Sequence, residues 1–342
     1  MSVIQVWTDL DQRMMRRAIQ ISKRGFPAPN PHVGCVLEKN GEVVAEGFHA
    51  FAGGPHAEAA ALKKAGPQAQ GTTAYGTLEP CNHHGRTPPC SEALLRAGVR
   101  RVIFAVPDPN PRAAGGLLKL ANAGVEVKQG LLKEEAAAAN HQFLFSIQNQ
   151  RPLIVVKAAI GLDGRIALPS GESKWITGEK ARNQAHQLRA ELGAVLVGRR
   201  TVEQDNPELT ARIPGVVNQP VRIVLDPKNQ LIGMEHVFDA RARSIHVTGE
   251  IDLAKLTCEW FKSGITGILV EGGANTISSF FRANLVDRIE LFIAPKILGE
   301  GLSWINDLGI NSMSEARQFE FQSVKQLEED LWITAIPKSL SE

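Results

Sequence analysis

Apolar residues recur at helical spacing from Asp9 to Arg24, where Met14, Ala18 and Ile21 fall on one face. The run Phe26-Pro-Ala-Pro-Asn-Pro31 ends that helix. Val33 to Glu38 and Glu42 to Glu46 read as short strands joined by Asn40-Gly41, a hairpin dipeptide. A helix from His56 to Ala65 stops at Gly66-Pro67. There follow a strand at Thr72 to Leu78, a helix at Ser91 to Ala97 and a strand at Arg101 to Val106. A Pro-rich loop, a helix at Gly116 to Ala123 and a strand at Val125 to Val127 come next. One Ala-rich helix from Lys133 to Phe145 completes the first half. Asn149-Gln-Arg-Pro152 is polar, contains proline, and marks where the pattern restarts. Beyond it strands are expected at 153–160, 194–198, 221–225, 244–248, 267–271, 288–293 and 331–336, with helices at 178–192, 252–263 and 275–285. This alternation predicts two α/β domains, 1–149 and 150–342, the second with a mostly parallel sheet.

A chain of 342 residues with 43% hydrophobic and 22% charged residues is long enough to bury two ordinary cores. The longest apolar runs, such as Leu153 to Val156, are too short to span a membrane. No basic-then-apolar leader precedes Trp7, so a cytoplasmic location is expected. Four cysteines make no disulfide framework, and a net charge of +2 argues against a nucleic-acid partner. The averages hide one asymmetry: six of the nine histidines and three of the four cysteines precede residue 150.

That asymmetry centres on His56-Ala57-Glu58 at a helix start, Glu79-Pro80-Cys81 after a strand, and Cys90 at another helix start. One imidazole and two thiolates supply three zinc ligands, which leaves a tetrahedral position for water. Glu58, two residues past His56, is placed to move protons without ligating. His-x-Glu followed by Pro-Cys is the pattern of zinc-dependent nucleobase deaminases, although eight residues separate the cysteines here. Two other readings stand beside it. Cys81 and Cys90 serve as small buried hydrophobes, or a closed structural zinc takes His83, His84 or Cys35 as fourth ligand. Cys35 lies in the apolar run Val33 to Leu37 and reads as core, and His32 and His141 as packing or surface residues. In the second half Gly-x-Gly-x-x-Gly is absent, but Ile268-Leu-Val-Glu271-Gly-Gly273 reads as a strand and tight turn opening a helix. Such a helix start offers free amides to a phosphate, or is simply a connection.

The stretches Asn30-Pro31-x-Val33-Gly34-Cys35-Val36, His56-Ala57-Glu58 and Glu79-Pro80-Cys81-x-His83-x-Gly85-Arg86-Thr87-Pro88-Pro89-Cys90 resemble the deaminase half of the bifunctional riboflavin-biosynthesis deaminase/reductase family. Lys157-Ala-Ala-Ile-Gly-Leu-Asp163-Gly164, Ser170 to Thr177, Leu188-Arg189-Ala190, Val197 to Arg212, Val270 to Gly273 and Ala294-Pro295-Lys296 resemble its reductase half. The likeness runs from about Asp9 to Ile336. It implies a cytidine-deaminase-like three-layer α/β/α domain followed by a dihydrofolate-reductase-like α/β domain. It further implies one zinc per chain on His56, Cys81 and Cys90, Glu58 as proton shuttle, and Asn30, His49, His83, Arg86, Asp108 and Asn110 around the substrate. For Asp108 and Asn110, ordinary turn chemistry is the competing account.

In the second half the resemblance assigns NADPH to Ala159, Trp175, Thr201, Asp205 and the run Gly273, Ala274, Asn275, Thr276, Ile277, Ser278 and Ser279. It gives the substrate Lys157, Ser173, Arg189, Leu209, Arg212 and Glu271. Arg189 and Arg212 are the expected phosphate clamp, and Lys157 and Glu271 the candidate proton donors. Asn206 departs from the family, where an Asp usually precedes the Pro. The implied reactions are hydrolytic deamination of 2,5-diamino-6-ribosylamino-4(3H)-pyrimidinone 5′-phosphate and NADPH-dependent reduction of 5-amino-6-(5-phosphoribosylamino)uracil. The expected partners are these small phosphorylated aminopyrimidines, in a homo-oligomer, dimer or tetramer, with neither nucleic acid nor membrane. A tRNA or free-nucleobase deaminase with an accessory domain and a non-enzymatic zinc module are the alternatives, separable by substrate assay and zinc content.

Overall fold

A computed structural model describes residues 6–83, 88–111 and 113–338. The chain divides into two compact units, Met1–Asn149 and Gln150–Glu342.

The first unit opens with α1 (Asp9–Ser22), capped by Thr8, whose hydroxyl accepts from the Asp11 amide while Asp11 accepts from the Thr8 amide. Its buried face, including Met15, Ala18 and Ile21, lies on the sheet. The sheet comprises β1 (Gly34–Lys39), β2 (Glu42–Phe48), β3 (Thr73–Leu78), β4 (Arg101–Val106) and β5 (Glu126–Gln129), in the order β2-β1-β3-β4-β5. β1 pairs antiparallel with β2 and β3, whereas β3, β4 and β5 run parallel. The helices α2 (Ala57–Ala65), α3 (Cys90–Arg96) and α4 (Gly116–Asn122) are interleaved with these strands, and α5 (Lys133–Ala139) and α6 (His141–Asn149) close the unit. One apolar cluster joins α1 and α5 to the sheet, and a second joins α2, α3 and α4 to its other face, giving three α/β/α layers. Cys35 sits fully buried in the second cluster, as core. The single helix expected over Lys133 to Phe145 is two helices. Asn140 breaks it, because its buried side chain donates to the His32 carbonyl at 2.9 Å.

The second unit contains β6 (Leu153–Ile160), β7 (Arg165–Ala167), α7 (Glu179–Leu192), β8 (Ala194–Gly198), α8 (Arg199–Asp205), β9 (Val221–Leu225), β10 (Ser244–Val247), α9 (Leu253–Lys262), β11 (Gly267–Val270), α10 (Ala274–Arg282), β12 (Arg288–Ile293), β13 (Leu302–Ser303), β14 (Phe319–Leu327) and β15 (Asp330–Pro337). The large sheet has the order β10-β9-β8-β11-β6-β12-β15-β14. It is parallel from β10 to β12, and β15 and β14 are added antiparallel. The central strands are mostly buried Val, Ile, Leu and Ala, with Lys157 the one charged residue of β6, as a sheet covered on both faces requires. β14 has no such signal: it is an edge strand whose side chains are mostly exposed. The short strands β7 and β13 and the two-turn helix α8 also lay below the resolution of periodicity. Among the described residues no helix is long and apolar enough to cross a membrane.

Candidate active sites

In the first unit the chemistry gathers beyond the carboxyl ends of β3 and β4, the usual ligand edge of an open α/β sheet. His56 precedes α2, Cys81 follows β3 and Cys90 begins α3. His56 Nδ1 lies 3.5 Å from Cys81 Sγ and 3.3 Å from Cys90 Sγ, and all three donor atoms fall within 4.8 Å of one another. A tetrahedral ion with bonds of about 2.0 Å to nitrogen and about 2.3 Å to sulfur holds such donors about 3.5–3.8 Å apart. The donor set is therefore a near-formed zinc site. Electrostatics agree: the Cys81 sulfur is pulled toward thiolate by the Cys90 thiol and His56. Cys90 is pushed up by its neighbour Cys81 and by burial. Two adjacent thiols cannot both ionise without a cation between them.

Glu58 is buried beside this group, its carboxyl touching the Cys90 thiol, and burial raises it. Among the described residues the candidate group holds three, and Cys35, in the apolar core, is not one of them. His49 lies edge-on to His56 with ring centroids 5.5 Å apart. Its Nδ1 is 2.9 Å from the Pro55 carbonyl, so it carries the proton and donates it; Nε2 then accepts from Asn30 Nδ2 at 3.0 Å. His49 thus acts through Asn30, whose amide it orients, and burial keeps the ring neutral. Asp108 and Asn110 lie on the loop after β4, where Asp108 Oδ1 accepts the Asn110 amide. Burial, with the charges of Glu79 and Cys81, pushes the Asp108 carboxyl up to about 6. His83 is exposed at the rim, within electrostatic reach of Asp108. Arg86 and His84 lie outside the described residues.

In the second unit the ends of β6, β8 and β11 converge with α8 and α10. The Glu271 amide bonds the Leu196 carbonyl. A Cβ on Gly198 would lie 2.4 Å from Thr276 Oγ1, so only glycine lets α10 approach β8 this closely. Gly273, at φ 64°, opens α10 next to Thr201. Thr276, Ile277 and Ser278 are buried, and Ile277 belongs to the core. Trp175 is 64% exposed, which removes it from the core; Arg182 stacks on its ring at 4.6 Å. Lys157 and Ala159 lie on β6, Ser173 in the loop before α7, and Asp205 ends α8.

Both arginines expected at the phosphate have carboxylate partners in the structure. Arg189 closes its fork on Glu271 at 2.5 and 2.8 Å and spends its third nitrogen on the Thr210 carbonyl. Arg212 is exposed and pairs with Glu208. Burial pushes Glu271 up, but the Arg189 charge and hydrogen bonds, helped by Lys157, hold it down at about 2. Lys157 is lowered by burial and by Arg189, against the pull of Glu271. Leu209 is buried at φ 52°, a strained conformation of the kind found at ligand clamps.

The cytidine and deoxycytidylate deaminase zinc-binding region matches residues 8–106, and the RibD C-terminal domain matches residues 152–333. The riboflavin biosynthesis protein RibD of Aquifex aeolicus is 43% identical, covering 95% of this chain and 98% of its own length. That of Escherichia coli is 39% identical, over 94% and 98%. The chain belongs to the RibD family. Two solved relatives agree in fold: Acinetobacter baumannii RibD, with TM-score 0.89 at 39% identity over 96% of this chain and 99% of that one, and a deaminase/reductase of Thermotoga maritima, with 0.86 at 36% over the same shares.

As a RibD-family protein it is a bifunctional enzyme of riboflavin biosynthesis, a zinc-dependent deaminase joined to an NADPH-dependent reductase. The family departure at Asn206 has a local account: the residue adopts the left-handed conformation at the end of α8, which Asn tolerates, and its side chain accepts the His236 amide at 2.8 Å. Three positioning groups carried no assigned role in the sequence. Lys296 holds the carbonyls of Trp175 and Ile176, at 2.9 and 2.7 Å. His186 touches the Thr210 carbonyl, and burial with Arg189 and Arg212 pulls it down to about 4. Glu79 organises the Asp108 loop. Lys296 and Glu79 stand within recognisable motifs, but their partners are too distant in sequence to be read there.

Proposed function

We propose that the first unit deaminates 2,5-diamino-6-ribosylamino-4(3H)-pyrimidinone 5′-phosphate, and that the second reduces 5-amino-6-(5-phosphoribosylamino)uracil. The relative from Thermotoga maritima bears a name for this pair of activities, a diaminohydroxyphosphoribosylaminopyrimidine deaminase and 5-amino-6-(5-phosphoribosylamino)uracil reductase. The observation that carries the reading is the convergence of His56, Cys81 and Cys90 beside buried Glu58. These three side chains would hold zinc, which supplies Lewis acidity to a water. Glu58 takes a proton from that water at its carboxylate as the C–O bond forms at the amidine carbon. It returns the proton to the 2-amino nitrogen as the C–N bond breaks and ammonia leaves. Asn30, held by His49, and Asp108, Asn110, His83 and Arg86 bind and orient the phosphorylated pyrimidine.

In the second unit NADPH, when bound, supplies hydride to C1 of the ribosyl imine. Ala159, Trp175, Thr201, Asp205 and the amides of Gly273 to Ser279 would hold the cofactor. Ser173, Leu209, Arg212 and the Arg189–Glu271 pair would shape the substrate pocket. The ion pair favours Lys157 over Glu271 as proton donor, because Arg189 keeps Glu271 ionised. A cytoplasmic location suits both cofactors. A homo-oligomer is supported by the exposed edge strand β14, with Phe321 69% and Val324 57% exposed.

The test is one assay of the purified chain with the diaminopyrimidine phosphate, zinc and NADPH, following ammonia release and NADPH absorbance together. Stoichiometric ammonia followed by NADPH consumption is expected. Ammonia from cytidine or tRNA, with none from the pyrimidine phosphate, would overturn the reading. Sedimentation gives the oligomeric state.

A further inference from the structure

Glu79 directly follows β3, two residues before the ligand Cys81, and is buried. Its carboxylate is not among the candidate metal donors. Oε2 accepts the Asp108 amide at 3.3 Å, and Oε1 accepts the amides of Gly115 and Leu117 at 3.1 and 3.0 Å. These three donors bracket the segment that follows β4. That segment is also stitched to the ligand segment elsewhere: the Asn82 amide bonds the Ala113 carbonyl at 2.9 Å. A Cβ on Gly116 would lie 1.9 Å from the Pro80 carbonyl, so the segment lies directly against the Pro80-Cys81 backbone. Inside the segment, Ala113 and Ala114 amides bond the Asn110 carbonyl, and Asp108 accepts the Asn110 amide. The loop is therefore braced within itself and tied to the segment that carries Cys81 by the Glu79 carboxylate and by the Asn82–Ala113 backbone bond. A buried anion satisfied by amides of a single segment fixes that segment strongly, because each such bond is charge-assisted.

We propose that Glu79 is a positioning residue of the deaminase site, whose carboxylate sets Asp108 and Asn110 in register with the zinc ligand Cys81. The proposal rests on the assignment of Asp108 and Asn110 to the substrate.

Glu79→Gln is nearly isosteric. Its amide oxygen still serves Gly115 and Leu117, but its NH2 opposes the Asp108 N–H, donor against donor. A second variant approaches from the partner side: Leu117→Pro deletes one of the three amides at a first-turn helix position that tolerates proline. Ammonia release from the pyrimidine phosphate is measured on the full, zinc-loaded chain, with Asp108→Asn and Asn110→Ala run alongside. Glu79→Gln is expected to raise KM about tenfold, the scale of one lost charge-assisted bond, with kcat within about threefold. Zinc stays at one per chain and reduction of supplied deaminated substrate is unchanged. Leu117→Pro raises KM in the same direction by about threefold, and it decides the question if Glu79→Gln does not fold. Unchanged KM in the Glu79 and Leu117 variants, while Asp108→Asn and Asn110→Ala raise it, overturns the role of Glu79 alone. Unchanged KM in the Asp108 and Asn110 variants overturns that substrate assignment and the proposal with it. Loss of zinc from Glu79→Gln would make the residue a support of the metal centre and likewise overturn the proposal.

Discussion

The guanidinium of Arg189 grips the carboxylate of Glu271 through two parallel hydrogen bonds of 2.5 and 2.8 Å, with the two side chains 13% and 8% exposed. Removing one partner strands the other charge in a poorly hydrated site. Arg189→Ala should destabilise the second unit by about 3–5 kcal/mol, measured by urea unfolding. The pH dependence follows from the sign of the shift. Glu271 is held at about 2 in the folded chain, against 4.5 as its ordinary value. Its contribution is complete above about pH 4.5 and is lost as pH falls through about 2. The stability gap between wild type and Glu271→Gln should therefore be constant near neutrality and narrow progressively below about pH 4.5. Glu271→Gln should also lose reduction while releasing ammonia normally.

Lys296 reaches across from the end of β12 to the carbonyls of Trp175 and Ile176. Lys296→Met leaves that turn without its charge-assisted anchors. NADPH affinity should fall about tenfold, read from fluorescence on NADPH titration, with deamination unaffected.

The two kinds of buried cysteine should separate cleanly. Cys81→Ser removes a thiolate from the donor group, so metal analysis should show loss of zinc and assays loss of ammonia release, with reduction retained. Cys35→Ala, in the apolar core, should keep its zinc and cost about 1 kcal/mol of stability.

Arg222 is fully buried and donates to Ser244 Oγ, to Asp239 Oδ1 and to the carbonyls of Glu208, His236, Asp239 and Ala242. Arg222→Ala should cost about 3–5 kcal/mol by denaturant titration. Arg222→Lys should rescue little, since one ammonium cannot span a planar fork's acceptors. Because the Glu208 carbonyl adjoins Leu209, the reductase KM should rise in the surviving fold.

The strands Leu153–Ile160 and Ala194–Gly198 were legible because both faces of a parallel sheet are covered, which writes a nearly continuous apolar run into the chain, interrupted only by Lys157. β14 was not, because its exposed edge residues carry no burial pattern. The zinc donors were legible because His-x-Glu and Pro-Cys fix ligands to a helix start and a strand end, where local geometry does most of the placement. The break at Asn140 was illegible, since it answers to His32, 108 residues earlier.

Local periodicity and short motifs thus determined the two α/β units, the metal donors and the kinds of chemistry, because these depend on burial of one face or on neighbours within a turn. Only the tertiary structure decided which polar groups meet. It closed Arg189 on Glu271, 82 residues away. It turned His49 onto Asn30 and Glu79 onto the Asp108 loop. A buried donor or acceptor must find a partner wherever packing leaves one, and that choice is made in space, across strands that the chain order keeps apart.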